Sequence, residues 1–126
     1  MNWLVVLATA IVATAPVADL RGFLDGQQLH EHCRPHPADD MADLRSALCL
    51  GYIVGSADQI LAAEAETPPQ LKSFCPLRTV IAEDLRGAAM DFLDRHPKAR
   101  SAAAATLVAA ALTARYPCAV AELNDR

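Results

Sequence analysis

The residues with the most definite chemistry in this chain are four cysteines, at Cys33, Cys49, Cys75 and Cys118. An even number of cysteines in a small exported chain indicates disulfides, whereas four thiolates could also hold a zinc ion. Zinc sites commonly use C-x-x-C pairs, and the sequence contains none. Two disulfides are therefore the favoured interpretation, although four cysteines allow three connectivities.

Three histidines crowd around the first cysteine, at His30, His32 and His36. Imidazole and thiolate groups together could bind zinc. However, residues two apart on a helix point in different directions, and Pro35 breaks the turn before His36. We therefore expect these histidines to face solvent, and we expect no metal and no other cofactor.

Carboxylates are the remaining candidates for catalysis, and several fall on one predicted helix, at Glu83, Asp84, Asp91 and Asp94. A solvated helix face is the favoured interpretation, and a paired-carboxylate acid–base site is the alternative. The chain has no nucleophile elbow, P-loop, H-E-x-x-H, dinucleotide-binding or EF-hand motif. The sequence therefore predicts a protein that is not an enzyme.

Composition limits the fold and the partners. The 126 residues suffice for one domain, and the apolar content of 53% includes few aromatic residues, at 5%. Abundant alanine favours closely packed helices over strands. The net charge of −4, with Lys+Arg 11 against Asp+Glu 15, argues against nucleic acid and against an anionic membrane surface.

The N-terminus predicts export. The segment from Trp3 to Ala18 is almost wholly apolar and uncharged, which is typical of a signal peptide and short for a membrane span. We expect a signal peptide over residues 1–18 and a periplasmic domain over 19–126, with no membrane insertion after cleavage. An uncleaved anchor or a buried first helix are the alternatives.

Four helices are predicted in the mature chain. The first starts after Asp25, with Gln28 placed to complete a capping box, and ends near Cys33 because two prolines follow. The second runs from about residue 41 to 63, capped by Asp39 or Asp40. The third starts near Thr79, and the fourth starts with Pro97 at its first position and ends at Arg115.

The second helix should lie at the centre of the bundle, because its apolar residues cover much of its surface. The predicted inner face comprises Met41, Leu44, Leu48, Tyr52 and Gly55, and it is widened by Cys49, Ile53 and Ile60. Glycine inside a helix is costly, so Gly51 and Gly55 indicate very close packing by another helix, with a self-association face as the alternative. Asp58, nearly isolated among apolar residues, is expected to bond a backbone amide or an arginine.

The helix order favours one disulfide pairing. The third and fourth helices have similar lengths and meet at His96-Pro97, so they should lie antiparallel. That arrangement brings Cys75 near Cys118, and Cys33–Cys49 then follows by elimination. The expected fold class is thus all-α, a compact bundle of four to five helices held by two disulfides.

Several short motifs occur together in a distinctive order. They are Gly26-x-x-Leu29-x-x-x-Cys33, then Cys49-x-Gly51-Tyr52-Ile53-x-Gly55-x-x-Asp58, Phe74-Cys75-Pro76, Phe92-Leu93-x-x-His96-Pro97 and Tyr116-Pro117-Cys118. The chain in this respect resembles the Rap/Tai-type immunity proteins of bacterial type VI secretion. The resemblance implies a periplasmic protein, often a homodimer, that binds and inhibits a peptidoglycan amidase effector. A small helical binding or chaperone-like stress protein of the same fold is the alternative.

The loop Glu64–Lys72 is the expected contact surface for a partner, because a loop held at both ends loses less entropy on binding than a free one. Its candidate contact residues are Glu64, Glu66, Thr67, Gln70 and Lys72. A plain connector between helices is the alternative.

Overall fold

The computed structural model describes residues 22–118, and this part of the chain is helical, without a strand. Its α-helices are α1 (Gly26–Cys33), α2 (Ala42–Ala63), α3 (Ala82–Arg95) and α4 (Ala104–Arg115), with two 3₁₀ turns at Pro69–Leu71 and Pro97–Ser101. The predicted all-α class is confirmed. The predicted signal peptide and the C-terminal tail lie outside the described residues.

The start of α1 follows from its predicted cap, whereas α2 has Met41 at its N-cap position and no side-chain cap, so the predicted cap at Asp39 or Asp40 is wrong. Asp25 Oδ1 accepts a hydrogen bond from the Gln28 amide at 2.8 Å, and Gln28 Oε1 accepts one from the Asp25 amide at 2.9 Å, which confirms the capping box. Asp39 Oδ1 accepts from the Met41 amide at 2.9 Å, and Arg45 bonds the other carboxylate oxygen at 2.6 Å. These bonds hold the pKa of Asp39 below its ordinary value, the Met41 amide having the larger effect.

The helix α3 begins at Ala82, later than the predicted start near Thr79. Residues 77–80 instead form a turn in which the Val80 amide donates to the Leu77 carbonyl at 3.0 Å. Asp84 then accepts from the Ile81 amide at 2.9 Å. A carboxylate three residues into the helix thus determines where α3 starts.

The segment after Pro97 is not continuous with α4, contrary to prediction. A 3₁₀ turn covers Pro97–Ser101, and α4 starts only at Ala104. The interruption has a tertiary cause, because the segment between them pairs with the residues that precede α1. The Gly26 amide donates to the Ala102 carbonyl and the Ala104 amide to the Leu24 carbonyl, both at 2.9 Å.

All four α-helices contribute to one core. The largest fully buried side chains are Leu29 of α1, Ile53 of α2, Leu93 of α3, and Val108 and Leu112 of α4. The predicted disulfides are both present, with Cα atoms 5.0 Å apart for Cys33–Cys49 and 4.9 Å apart for Cys75–Cys118. By loop entropy they contribute about 3 and about 4 kcal/mol to the free energy of unfolding.

The predicted inner face of α2 is correct for Cys49 and Ile53 but wrong for its first three residues. The buried residues are Cys49, Ile53 and Ala57, whereas Met41, Leu44 and Leu48 are exposed by 51%, 58% and 41%. The helices α1, α3 and α4 all pack against α2, and their contacts bury one side of it. Apolar periodicity alone could not distinguish the two sides of a helix that is apolar on both.

Within the described residues, the glycines of α2 also do not mark a tight contact between helices. No described atom of another element lies within 4 Å of a Cβ built on Gly51 or Gly55. The crowded glycine is Gly26, where an added Cβ would lie 2.3 Å from Leu107 Cδ1 and 2.9 Å from Arg100 Cα. The first turn of α1 therefore needs glycine because backbone lies against it.

The substitution Gly26→Ala should lower the free energy of unfolding by about 1–3 kcal/mol, because the Arg100 backbone cannot move aside as a flexible side chain can. The matched control is Gly87→Ala in α3, where no described atom lies within 4 Å of the new Cβ. It should raise stability by about 0.5–1 kcal/mol. Denaturant midpoints at a constant m value measure both changes, and equal midpoints for the two variants would contradict the assignment.

Candidate functional site

The loop Glu64–Lys72 leaves the end of α2 and carries a 3₁₀ turn at Pro69–Leu71. The Thr67 amide donates to the Glu64 carbonyl at 3.0 Å, and the Leu71 amide donates to the Pro68 carbonyl at 2.9 Å. Proline at two successive positions restricts the backbone before the turn. The loop therefore has local order of its own.

The carboxylate of Glu64 closes the base of this loop. It accepts hydrogen bonds from the Ser73 amide at 2.9 Å and the Phe74 amide at 3.3 Å, and from the Ser73 hydroxyl. The Ser73 hydrogen bonds are the main reason that the pKa of Glu64 lies below its ordinary value. Glu64 was predicted as a contact residue, but its carboxylate is engaged within the chain.

The far end of the loop is attached to the body of the protein. Phe74 is buried and its ring meets the Tyr116 ring edge-on at 6.3 Å. The Cys75 amide donates to the Tyr116 carbonyl at 2.9 Å, and Cys75 forms the disulfide with Cys118. Both ends of the loop are thus held, which reduces the conformational entropy that binding would cost.

The remaining candidate contact residues differ in exposure. Glu66 and Gln70 are exposed, while Thr67 and Lys72 are half-buried. The loop also carries Leu71, which is not among the predicted contact residues and which is 72% exposed at the end of the 3₁₀ turn. A leucine in a polar loop, outside any helical period, was the available signal for it.

The histidines near Cys33 are half-buried rather than solvent-facing as predicted, and two of them form hydrogen bonds in different directions. His30 Nε2 lies 2.7 Å from Asp94 Oδ1 of α3, and His36 Nε2 lies 2.6 Å from the Glu31 carbonyl oxygen. Cys33 is in a disulfide. Between residues 22 and 118, no three His, Cys, Asp or Glu side chains lie together as a metal-binding group.

Three of the four candidate carboxylates of α3, those of Glu83, Asp84 and Asp91, border a groove of about 570 Å³ between α3 and α4. Glu83 pairs with Arg86 at 2.8 Å, and Asp91 pairs with Arg95. The Asp84 carboxylate accepts a hydrogen bond from the Ile81 amide. These are the contacts of a solvated helix face, the favoured interpretation of the sequence.

The second helix presents an apolar stripe on its outer side, which we call the outer stripe. It consists of Leu44, Leu48, Gly51 and Gly55, spaced four, three and four residues apart, and all four are exposed. By length and mean hydropathy α2 could also cross a membrane, with 17% of its most apolar window buried. Its inner side nevertheless packs in the core, where Ile53 is buried and the Cys33–Cys49 disulfide is formed.

Tyr52 lies beside the outer stripe and Asp58 continues it. Tyr52 is half-buried against the core. Burial raises the pKa of its hydroxyl above the ordinary value, while a hydrogen bond with the Ala105 backbone at the start of α4 acts in the opposite direction. Asp58 is exposed, so this carboxylate lies on the surface rather than in the core.

The described residues form a small helical domain held by two disulfides, with an anchored loop and an apolar helix face. The family model for Rap1a immunity proteins matches residues 25–118, which is more than half of the chain. The chain belongs to the Rap1a immunity protein family. No curated protein and no solved structure matches it.

The substitution Glu64→Ala should release the base of the loop, so that the Ser73 and Phe74 amides exchange their hydrogens faster. Glu66→Ala, an exposed carboxylate two residues on, should leave those rates unchanged. In the unaltered protein, protection is expected above the ordinary glutamate pKa of about 4.3. It is lost as the pH falls through the lower folded-state pKa of Glu64. Exchange measured by NMR that is equal in both variants would contradict the clamp.

Proposed function

We propose that this protein is a periplasmic immunity protein that binds and inhibits a peptidoglycan amidase effector of type VI secretion. Membership of the Rap1a immunity family carries the proposal. Immunity proteins of this kind act by binding a secreted toxin, and the protein itself performs no chemistry. The amidase class comes from the resemblance of the ordered motifs to Rap/Tai-type proteins.

The two disulfides support a periplasmic location. Disulfides form and persist in oxidising compartments and are rare in the cytosol. A peptidoglycan amidase acts in the same compartment, so inhibitor and target would meet there. The apolar segment from Trp3 to Ala18 supplies the export signal in this proposal.

The anchored loop supports binding to an enzyme cleft. Its ends are held by Glu64 and by the segment Ser73–Cys75, and Leu71 projects from it. An exposed apolar side chain on a rigid turn fits a pocket with little loss of entropy, and such anchors carry most of the energy of an interface. Leu71 is therefore the proposed anchor, and Glu66 and Gln70 lie beside it as polar contacts.

The outer stripe of α2 supports a homodimer. It combines exposed leucines with two glycines that leave room for a second helix. The same stripe on a second copy would be complementary to it across a twofold axis. Glycines spaced four residues apart allow helix backbones to approach closely, and the two leucines would then lose their exposure to water.

The neighbouring reading frame should encode a secreted amidase that binds this protein with nanomolar affinity and loses its hydrolytic activity on binding. In that complex, Leu71→Ala should weaken binding by about 30-fold, the effect of losing one interface anchor. Calorimetry measures the affinity, and peptidoglycan hydrolysis measures the inhibition.

The matched control for the loop is Leu77→Ala, because Leu77 is 74% exposed and lies outside the loop. It should bind as the unaltered protein does. Normal affinity of Leu71→Ala would exclude this loop as the contact, whereas failure of the unaltered protein to bind would exclude the proposed target.

The substitution Leu48→Asp should convert a dimer to a monomer, because it places a charge in the apolar stripe where copies meet. Leu61→Asp is the control, since Leu61 is 44% exposed on α2 but about 100° around the helix from the stripe. Sedimentation over a concentration series measures the mass. A monomeric unaltered protein, or dimers of Leu48→Asp, would refute this interface.

A further inference from the structure

The two disulfides differ in their access to solvent. Cys33 and Cys49 are 9% and 0% exposed, within the core. Cys75 is exposed and Cys118 is half-buried, and their disulfide links the end of α4 to the segment that follows the loop Glu64–Lys72, which we call the partner loop. We propose that Cys75–Cys118 is a redox switch, opened by a dithiol reductant while Cys33–Cys49 remains oxidised, and that its state controls the order of the partner loop.

Access decides which disulfide reacts, because exchange requires a thiolate to reach one sulfur. A thiolate of the reductant attacks Sγ of exposed Cys75 and breaks the S–S bond, so that Cys118 leaves as a thiolate and takes up a proton. The second thiol of the reductant then attacks the mixed disulfide and releases Cys75 as a thiol. The protein gains two electrons and two protons, and the dithiol becomes a disulfide.

The core disulfide requires a larger opening before the same reaction. Cys33 ends α1 and Cys49 lies within α2, and the buried cluster that includes Leu29 and Ile53 surrounds them. Exposing these sulfurs means separating α1 from α2, which is close to unfolding the domain. Local openings at a domain edge are populated far more often than such global ones.

Opening the outer disulfide leaves much of the fold in place. The burial of Phe74 and the hydrogen bond from Ser73 to Glu64 do not involve the sulfur atoms, so both contacts should persist on average but should open more often. What disappears is the covalent link between the partner loop and the end of α4. The loop should therefore gain freedom while the four helices persist.

The consequence for partner binding rests on the proposed function, whereas the difference in reactivity does not. A more flexible loop loses more conformational entropy on binding, so the reduced protein should bind its target less tightly. The reduction rates of the two disulfides in the isolated protein therefore test the switch whether or not the target is an amidase.

The test is timed reduction of the folded protein with dithiothreitol, followed by quenching with iodoacetamide and mass spectrometry of the labelled peptides. Labels at Cys75 and Cys118 should appear on the order of 100-fold faster than labels at Cys33 and Cys49. Simultaneous appearance of both pairs, or earlier labelling of the core pair, would overturn the proposal.

The double variant Cys75→Ser and Cys118→Ser cannot form the outer disulfide, so it represents the reduced protein without added reductant. Its circular dichroism should match that of the oxidised protein, its Cys33–Cys49 bond should resist dithiothreitol, and its Ser73 and Phe74 amides should exchange faster. If this variant is unfolded, or if its amide exchange is unchanged, the disulfide is not a switch for the loop. Its affinity for the amidase should fall about 10-fold, roughly the effect of losing loop preorganisation.

Discussion

The contact between the first turn of α1 and the segment Arg100–Ala104 determines how the rest of the bundle is arranged. Gly26 lies so close to the Arg100 backbone that a methyl group would not fit. Backbone hydrogen bonds from Gly26 to Ala102 and from Ala104 to Leu24 follow from that closeness. They interrupt the fourth helical segment and direct α4 into the core, where Leu107 and Leu112 are buried beside Leu29.

The disulfides complete an arrangement that this contact begins. Cys33–Cys49 joins α1 to α2 inside the core, and Cys75–Cys118 joins the end of the partner loop to the end of α4. A domain of this size has a net stability of only about 5–15 kcal/mol, so two cross-links of a few kcal/mol each are a large share of it. Covalent links thus add to the stability of a small core in which alanine and aliphatic side chains predominate.

The two candidate binding surfaces arise from what this core leaves uncovered. A core formed on one side of α2 leaves Leu44 and Leu48 in solvent, together with the open glycines. The partner loop projects because Glu64 and the outer disulfide hold its base, so Leu71 has no core to enter. In a protein of the Rap1a immunity family, whose members bind other proteins, surfaces of this kind are where recognition is expected.

Local chemistry alone determined the start of α1 at Asp25, the end of α1, the loop after α2 and the all-α class, because caps, prolines and alanine act within a few residues. The order and similar lengths of the last two helices also indicated both disulfide pairings. Only the tertiary structure decided which face of α2 is buried, why α4 starts at Ala104, which glycine is crowded and that Glu64 is a clamp. Each of these depends on residues distant in sequence, and an apolar helix carries no local signal of which side its neighbours will cover.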